Sequence, residues 1–371
     1  MTLLPNLVVA TSIEKVEVAA YQIPTDFPES DGTLKWNATT LILVTITAGG
    51  ERGLGYTYGN VATAKVIQDH LISLVIDQDV NEIPAIWCSL IRQVRNDGTK
   101  GISAMAISAI DIALWDLKAK LLNLPLVHLL GQIRKNISIY GSGGFTSYSL
   151  KQLEQQLSCW IAQGISCVKM KVGRYPEKDK ERVATARHVI GPKPRLFVDA
   201  NNAYQQKEAL HFLRIFSNYD ISWMEQPLSH DNFSGMRWLR DQVPEIEIAE
   251  GEYGYELSYF RQLLESQAVD VVMADVTRCL GITGFLKINA LCEAYHSPLS
   301  CHCAPSLHVH LGCALPQIQH IEYFHDHSRI EHMLFDGVLD PVGGTLTPDL
   351  SQPGLGLTFK HTDAIQYAIS S

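Results

Sequence analysis

The sequence has no run of apolar residues approaching the ~20 that a membrane-spanning helix needs. It also has no CxxC pair. Its eight cysteines, at 88, 159, 167, 279, 292, 301, 303 and 313, are scattered through 371 residues. That argues against a secreted disulfide scaffold and reads as reduced core thiols. A basic excess is missing as well: 30 Lys and Arg stand against 39 Asp and Glu, a formal net charge of −9. A phosphate-binding footprint should be basic, so nucleic acid is not expected as a partner. The opening MTLLPNLVVATSIE lacks a basic stretch and is broken by Pro5. A signal peptide is therefore not expected, and the protein is expected in the cytoplasm. Low-complexity segments are absent too.

What is present divides into parts, as expected of a chain longer than the ~250–300 residues at which single cores stop growing. Residues 1–133 read as a small α+β unit. IEKVEVAAYQI and TTLILVTITA are strand-like, with Gly49-Gly50 closing a turn before GLGYTYG. Between the first two lies TDFPESDGTLKW, polar and rich in turn formers, expected as a mobile loop. From Ile107, apolar residues recur at Ile110, Leu114, Leu117 and Leu121, one stripe of a helix that Pro125 ends. Over 134–335 the pattern becomes strand, loop, amphipathic helix, repeated, which implies a parallel sheet and, with eight strands, a closed barrel. Residues 336–371, with their Gly and Pro, are expected to return and complete the first domain.

The barrel part carries its chemistry at a regular spacing. Lys171, Asp199, Glu225, Glu252, Asp275, His302 and Glu322 follow one another at 28, 26, 27, 23, 27 and 20 residues. Each ends or nearly ends a short apolar run: CVKMKVG, LFVDANN, ISWMEQP, IEIAEGE, VDVVMAD, LSCHCAP and QHIEYF. Strand ends of a β/α barrel converge on one mouth, so these groups are expected in one pocket.

Side chains two apart on a strand share a face, so Lys169 and Lys171 both point inward. A lone KxK would be read as surface charge. Buried beside like charge, such a lysine is expected to have a depressed pKa and to act as a base. Asp199, Glu225 and Glu252 offer three oxygen ligands with open positions, a set that suits Mg²⁺. Each alone would be an ordinary solvated loop residue. Glu250 is the rival for the third position, on the same face one step deeper. Asp275 can orient the imidazole of His302 and stabilise its charged form. A Cys-His-Cys metal site at 301–303 is rejected, because alternation sends both thiols away from the pocket. His308, His310, His325, His327 and His332 are expected at the surface or rim, those near 325–327 within reach of a substrate.

These residues resemble the mandelate racemase subgroup of the enolase superfamily over nearly the whole chain. SAIDIALWDLKAKLLNLPLVHLLG is similar to that family's closing capping-domain helix. VKMKVG, VDANNAY, WMEQPL, AEGEYG, ADVTRCLGITG and SCHCAP resemble its barrel strand ends in order. The resemblance implies a modified TIM (β/α)7β barrel with an N-terminal α+β capping domain completed by the C-terminal tail. It implies Mg²⁺ on Asp199, Glu225 and Glu252, with a substrate carboxylate completing the shell. Lys171 would act on one face of the substrate's α-carbon and His302, oriented by Asp275, on the other. Lys169 and Glu322, the latter protonated, would contact the substrate carboxylate, and Asn201 is similar to a substrate-contacting position. The sixth strand offers Asp275 and no lysine, which counts against cycloisomerase or dipeptide epimerase activity. Family members of this kind form even-numbered rings, so a homo-oligomer, octamer or dimer, is expected.

The functional expectation is a Mg²⁺-dependent hydro-lyase that dehydrates an acid sugar to a 2-keto-3-deoxy acid. Trp36, Tyr56 and Tyr58 would close over the polyhydroxylated substrate. The alternative is a racemase or epimerase of a 2-hydroxy acid that uses the same Lys and His. A barrel that binds a ligand without turnover ranks third.

Overall fold

The structure is a computed structural model that describes residues 10–369. Most of the opening segment, Pro5 included, lies outside the described residues. Strands β1 (Lys15–Ser30), β2 (Lys35–Ala48) and β3 (Glu51–Tyr58) form an antiparallel sheet in that order. The helix Ile102–Leu121 packs on this sheet. Its approach explains the glycines of GLGYTYG: a Cβ on Gly53 or Gly55 would meet the carbonyl oxygens of Ala113 and Ala109 at 2.2 Å. Ile107, Ile110, Leu114 and Leu117 are buried as the stripe requires, but so are Ala104, Ala106, Ala109, Ala113, Ser108 and Asp111 on other faces. The helix is covered on two sides, by its own sheet and by a barrel helix, Gly281–Ala294. Asp111 accepts from the Thr283 N–H at 2.8 Å and the Thr283 hydroxyl at 2.6 Å.

The expected mobile loop is instead the end of a hairpin. β1 continues to Ser30 past an irregularity between Pro24 and Glu29, and Glu29 pairs with Trp36, Ser30 with Lys35. The pairing is carried by the backbone, so polar side chains do not prevent it. The tip then rests on the barrel. A Cβ on Gly32 would meet the Ala200 carbonyl oxygen at 2.1 Å. Thr33 donates to the Asn201 carbonyl at 3.1 Å, and Arg174 donates to the Asp31 carbonyl at 2.8 Å.

Eight parallel strands follow: β4 (Ile137–Gly143), β5 (Cys167–Lys171), β6 (Arg195–Asp199), β7 (Ile221–Glu225), β8 (Glu247–Glu250), β9 (Val271–Ala274), β10 (Leu299–Cys301) and β11 (Ile318–Phe324). β11 pairs with β4, Glu322 opposite Tyr140, and the sheet closes. This is the modified TIM barrel. A layer of Tyr140, Phe197, Trp223, Ala249, Val271 and Met273 fills its axis, with the Phe197 and Trp223 rings stacked at 4.8 Å. The polar groups sit one step nearer the mouth, above that layer.

After β11 and the helix His325–Leu334 the chain turns back. β12 (Phe335–Asp336) pairs with β14 (Thr358–Phe359), and β13 (Thr345–Leu346) pairs antiparallel with β4. Leu355 donates its N–H to Asp116 of the long capping helix, and Ile369 donates to the Ala20 carbonyl of β1. The tail thus completes the capping domain. Among the described residues no helix is long and apolar enough to cross a membrane.

Candidate active site

In-register pairing of neighbouring strands sets the site's first residues side by side: Lys171 opposite Asp199, Asp199 opposite Glu225. Lys169 Nζ lies 2.6 Å from Glu225 Oε1, 2.7 Å from Glu322 Oε1 and 3.5 Å from Asp199 Oδ2. Lys171 Nζ lies 2.5 Å from Asp199 Oδ2. On the other side His302 Nε2 is 2.9 Å from Glu252 Oε2 and 3.7 Å from Glu322 Oε2, while its Nδ1 is 2.8 Å from Asp275 Oδ2. One network therefore joins all seven spaced residues and Lys169, and every member is buried.

Glu250 and Glu252 do not share a face. Ala249 belongs to the axial layer, which turns Glu250 to the other side of its strand. There Oε1 accepts from Gln226 at 3.0 Å and from the Gly251 N–H at 2.8 Å. Gly251 has φ 143° and breaks the alternation, so Glu252 comes back to the pocket. Only glycine fits that position: a Cβ would lie 1.9 Å from the Met273 carbonyl oxygen.

Cys303 is a second place where alternation fails. Cys301 does turn away, but β10 ends there and Cys303 takes φ 53°. Its sulfur lies 3.3 Å from His302 Nε2 and 3.5 Å from Glu322 Oε2. The rejection of position 303 as a pocket residue is therefore wrong, and a left-handed residue after a strand end is the physical reason. Three of the five histidines expected at the surface or rim are not there. His308, His310 and His327 are buried, whereas His325 and His332 are partly exposed. His308 Nε2 accepts the Val276 N–H at 3.1 Å, so its Nδ1–H donates to the Cys303 carbonyl at 2.8 Å. It fixes the backbone on which Cys303 is carried.

The expected substrate contacts fare unequally. Tyr56 is fully buried between cap and barrel, stacked on Phe335, and its hydroxyl donates to Glu331 at 2.6 Å. It does not face the pocket, because β3 turns that side inward. Tyr58 stacks on His327 at 3.5 Å between centroids. Trp36 packs edge-on against Phe145 and donates to Glu29. Asn201 lies under the hairpin tip with its side-chain Oδ1 buried and unpartnered. Arg278 escaped the sequence reading. Three residues after Asp275, it lies 3.5 Å from Glu252 Oε1 and 3.6 Å from Asp275 Oδ2.

Electrostatics follow from this pairing. Burial disfavours the ammonium of Lys169, yet Glu225 and Glu322 outweigh it and raise its pKa well above the usual value. Burial likewise opposes Lys171, and Asp199 raises it. The expected depressed lysine is thus reversed: the carboxylates, not the second ammonium, decide the sign. Burial and then Asp199 push Glu225 well up. Burial also works against Glu252 and Glu322. His302 nevertheless holds the first well below the carboxylate range, and Lys169 holds the second low. Glu322 is therefore ionised here, not the proton donor expected. Burial opposes the charge on His302 too, but Cys303, Glu252 and Glu322 lift it well above the usual imidazole range.

Asp199, Glu225 and Glu252 are all buried carboxylates, a donor set that fits a hard divalent cation. They do not converge as a closed cage. Among the described residues, ligand atoms lie within 4.8 Å of one another at His302, Cys303 and Glu322 and at Asp26, Glu29 and His325. Two lysines hold Asp199 and Glu225, and His302 with Arg278 holds Glu252. Those cations supply the positive charge that the three carboxylates need.

Residues 15–131 match the family model "Mandelate racemase / muconate lactonizing enzyme, N-terminal domain", and residues 152–364 match "Enolase C-terminal domain-like". L-talarate/galactarate dehydratase of Salmonella typhimurium is 32% identical over 329 residues, 84% of this chain and 81% of its own length. A mandelate racemase/muconate lactonizing enzyme-like protein from Rubrobacter xylanophilus superposes with a TM-score of 0.94 at 49% identity, covering 96% of this chain and all of its own. L-talarate dehydratase from Polaromonas sp. JS666, solved with Mg and L-glucarate, gives a TM-score of 0.88 at 31% identity, covering 97% and 98% of the two chains. A 3,6-anhydro-alpha-L-galactonate cycloisomerase of Streptomyces coelicolor, 31% identical over 94% of this chain and 98% of its own length, and a D-galactarolactone cycloisomerase of Agrobacterium fabrum, 28% identical over 90% and 92%, match as well.

Proposed function

The chain belongs to the mandelate racemase/muconate lactonizing enzyme family, in the enolase superfamily, and we propose that it is a Mg²⁺-dependent dehydratase of an acid sugar. The observation that carries this reading is an acid and a base on different strands of one closed pocket. His302 is held protonated by Glu252, Glu322 and Asp275. Lys171 stands three strands away around the ring, by way of β11 and β4.

Asp199, Glu225 and Glu252 would hold the Mg²⁺, which would supply a Lewis acid for the substrate carboxylate. Lys171, in its neutral form, accepts the proton from C2 of the substrate. Lys169 offers a fixed ammonium to the carboxylate as it becomes an enediolate, and Glu322 holds that ammonium in place. Asp275 fixes the imidazole through Nδ1, so that Nε2–H faces C3. The C3–O bond breaks, His302 gives its proton to the leaving hydroxyl, and water departs. The resulting enol tautomerises to the 2-keto-3-deoxy acid. Asn201, with its free Oδ1, is placed to accept from a substrate hydroxyl. The cap over the mouth keeps bulk water from these steps.

The test is a library of mono- and diacid sugars followed by keto-acid formation and by proton NMR in D₂O. Expected is Mg²⁺-dependent loss of water that Lys171→Ala and His302→Asn each lower by at least ~10²-fold, the lower end of general acid–base contributions. Calorimetry should lose Mg²⁺ binding in Glu252→Gln and keep it in Glu250→Gln. A library that yields no keto acid overturns the dehydratase. Exchange at C2 with inversion and no water loss identifies the racemase or epimerase, which the same opposed Lys and His would serve.

A further inference from the structure

A second group of candidate ligands lies away from the barrel axis, where the cap meets the end of β11. Asp26 and Glu29 belong to the far part of β1, and His325 opens the helix His325–Leu334. His325 Nε2 lies 2.9 Å from Asp26 Oδ2. Each of the three residues puts a ligand atom within 4.8 Å of the other two. Glu29 is the telling member. It is 1% exposed; Oε2 accepts from Trp36 Nε1 at 2.7 Å, and Oε1 has no hydrogen-bond partner. A buried carboxylate oxygen without a donor is costly and calls for an explanation.

The neighbourhood does not supply the missing charge. Asp326 is fully buried beside this group, with one oxygen bonded to Thr39 and the other 2.6 Å from Arg329 Nη2. The same Arg329 nitrogen donates to the Pro24 carbonyl at 2.8 Å. Three carboxyl groups thus face one imidazole and one guanidinium, whose Nη2 is shared between Asp326 and Pro24 while its Nε has no partner.

We propose that Asp26, Glu29 and His325 form a second cation site, which takes a divalent transition ion such as Zn²⁺. Two carboxylates and an imidazole match that ion, whereas Mg²⁺ prefers oxygen alone and keeps its waters. Asp26 and His325 also line a cavity of about 680 Å³, from which water can fill the remaining positions. The ion joins the arm of the cap hairpin to the end of β11, and so holds the tip on the barrel mouth. The site is independent of the dehydratase reading and separate from the carboxylates on the axis.

The full-length protein saturated with Mg²⁺ is titrated with Zn²⁺ by calorimetry, and its thermal unfolding is followed in parallel. Expected is one Zn²⁺ per chain and a rise in Tm. Asp26→Asn and His325→Gln, at partly exposed positions, should weaken binding at least tenfold and abolish the rise in Tm. Far-UV circular dichroism matching the wild type excludes misfolding as the cause. Asp199→Asn and Cys303→Ser should leave Zn²⁺ binding unchanged. Absence of binding overturns the proposal, as does binding that survives both Asp26→Asn and His325→Gln. Binding lost in Cys303→Ser also overturns it, by moving the ion to His302, Cys303 and Glu322.

Discussion

His310 stands fully buried in the helix Pro305–Ala314, where its Nε2–H donates to the Leu355 carbonyl at 3.2 Å and its Nδ1 has no partner. Burial pushes its pKa down to about 4. In the unfolded chain the imidazole takes up a proton near pH 6.5, while the folded protein does not until about 4. The stability it allows is therefore complete above 6.5 and lost as pH falls through that interval, about 3 kcal/mol for this group. Urea unfolding at a series of pH values should show the loss, and His310→Gln should flatten it by about that amount. His320 and His327, pushed down to about 3 by burial, will keep a residual slope. His310 was read as a surface or rim residue although its run PSLHVHLGCA is mostly apolar, and all ten positions of this helix are buried. Strand alternation served well for Lys169, Asp199, Glu225 and Glu322. It failed at Glu252 and Cys303, where one residue of positive φ reverses the face and sequence periodicity carries no trace of it.

At the scale of the element, the β1–β2 hairpin depends on Gly32. Its φ is unremarkable, so the requirement is space: the Ala200 carbonyl oxygen would lie 2.1 Å and that of Val172 2.9 Å from a Cβ. Both are backbone atoms of the barrel mouth and cannot swing aside. Gly32→Ala should push the tip off the mouth at a cost of about 1–3 kcal/mol, the range for overpacking. Limited trypsin digestion checks this without a known substrate, since Lys35 is exposed beside the tip. Cleavage there should quicken several-fold with the barrel left whole; an unchanged rate would mean that the tip does not need the contact. The sequence of this segment is polar and rich in turn formers, and its docking partners Val172 and Ala200 lie more than 130 residues away. The barrel strands were legible for the opposite reason. Each is a short apolar run whose polar end recurs once per strand–helix unit, a signal contained within its own few residues.

At the scale of the molecule, sheet, long helix and tail meet at Asp116. Its Oδ2 accepts the Leu54 N–H of β3 at 2.7 Å and Lys120 Nζ at 2.6 Å, and its Oδ1 accepts the Leu355 N–H of the tail at 2.7 Å. The return of the tail was foreseen from the end of the strand–helix periodicity. Its anchor was not, since a lone Asp in DLKAKL reads as the solvated side of a helix. Asp116→Asn replaces one acceptor oxygen by a donor, so at least one of these buried N–H groups must face another donor. The cost should be about 3 kcal/mol or more. Because the carboxylate joins capping sheet, capping helix and tail at once, and Asp111 joins that helix to the barrel, the loss should be felt throughout. Differential scanning calorimetry should give one transition for the wild type and one for Asp116→Asn, displaced downward by several degrees. A variant that splits into two transitions, the later one at the wild-type temperature, would show instead that the cap melts by itself and that Asp116 stabilises only its own neighbourhood.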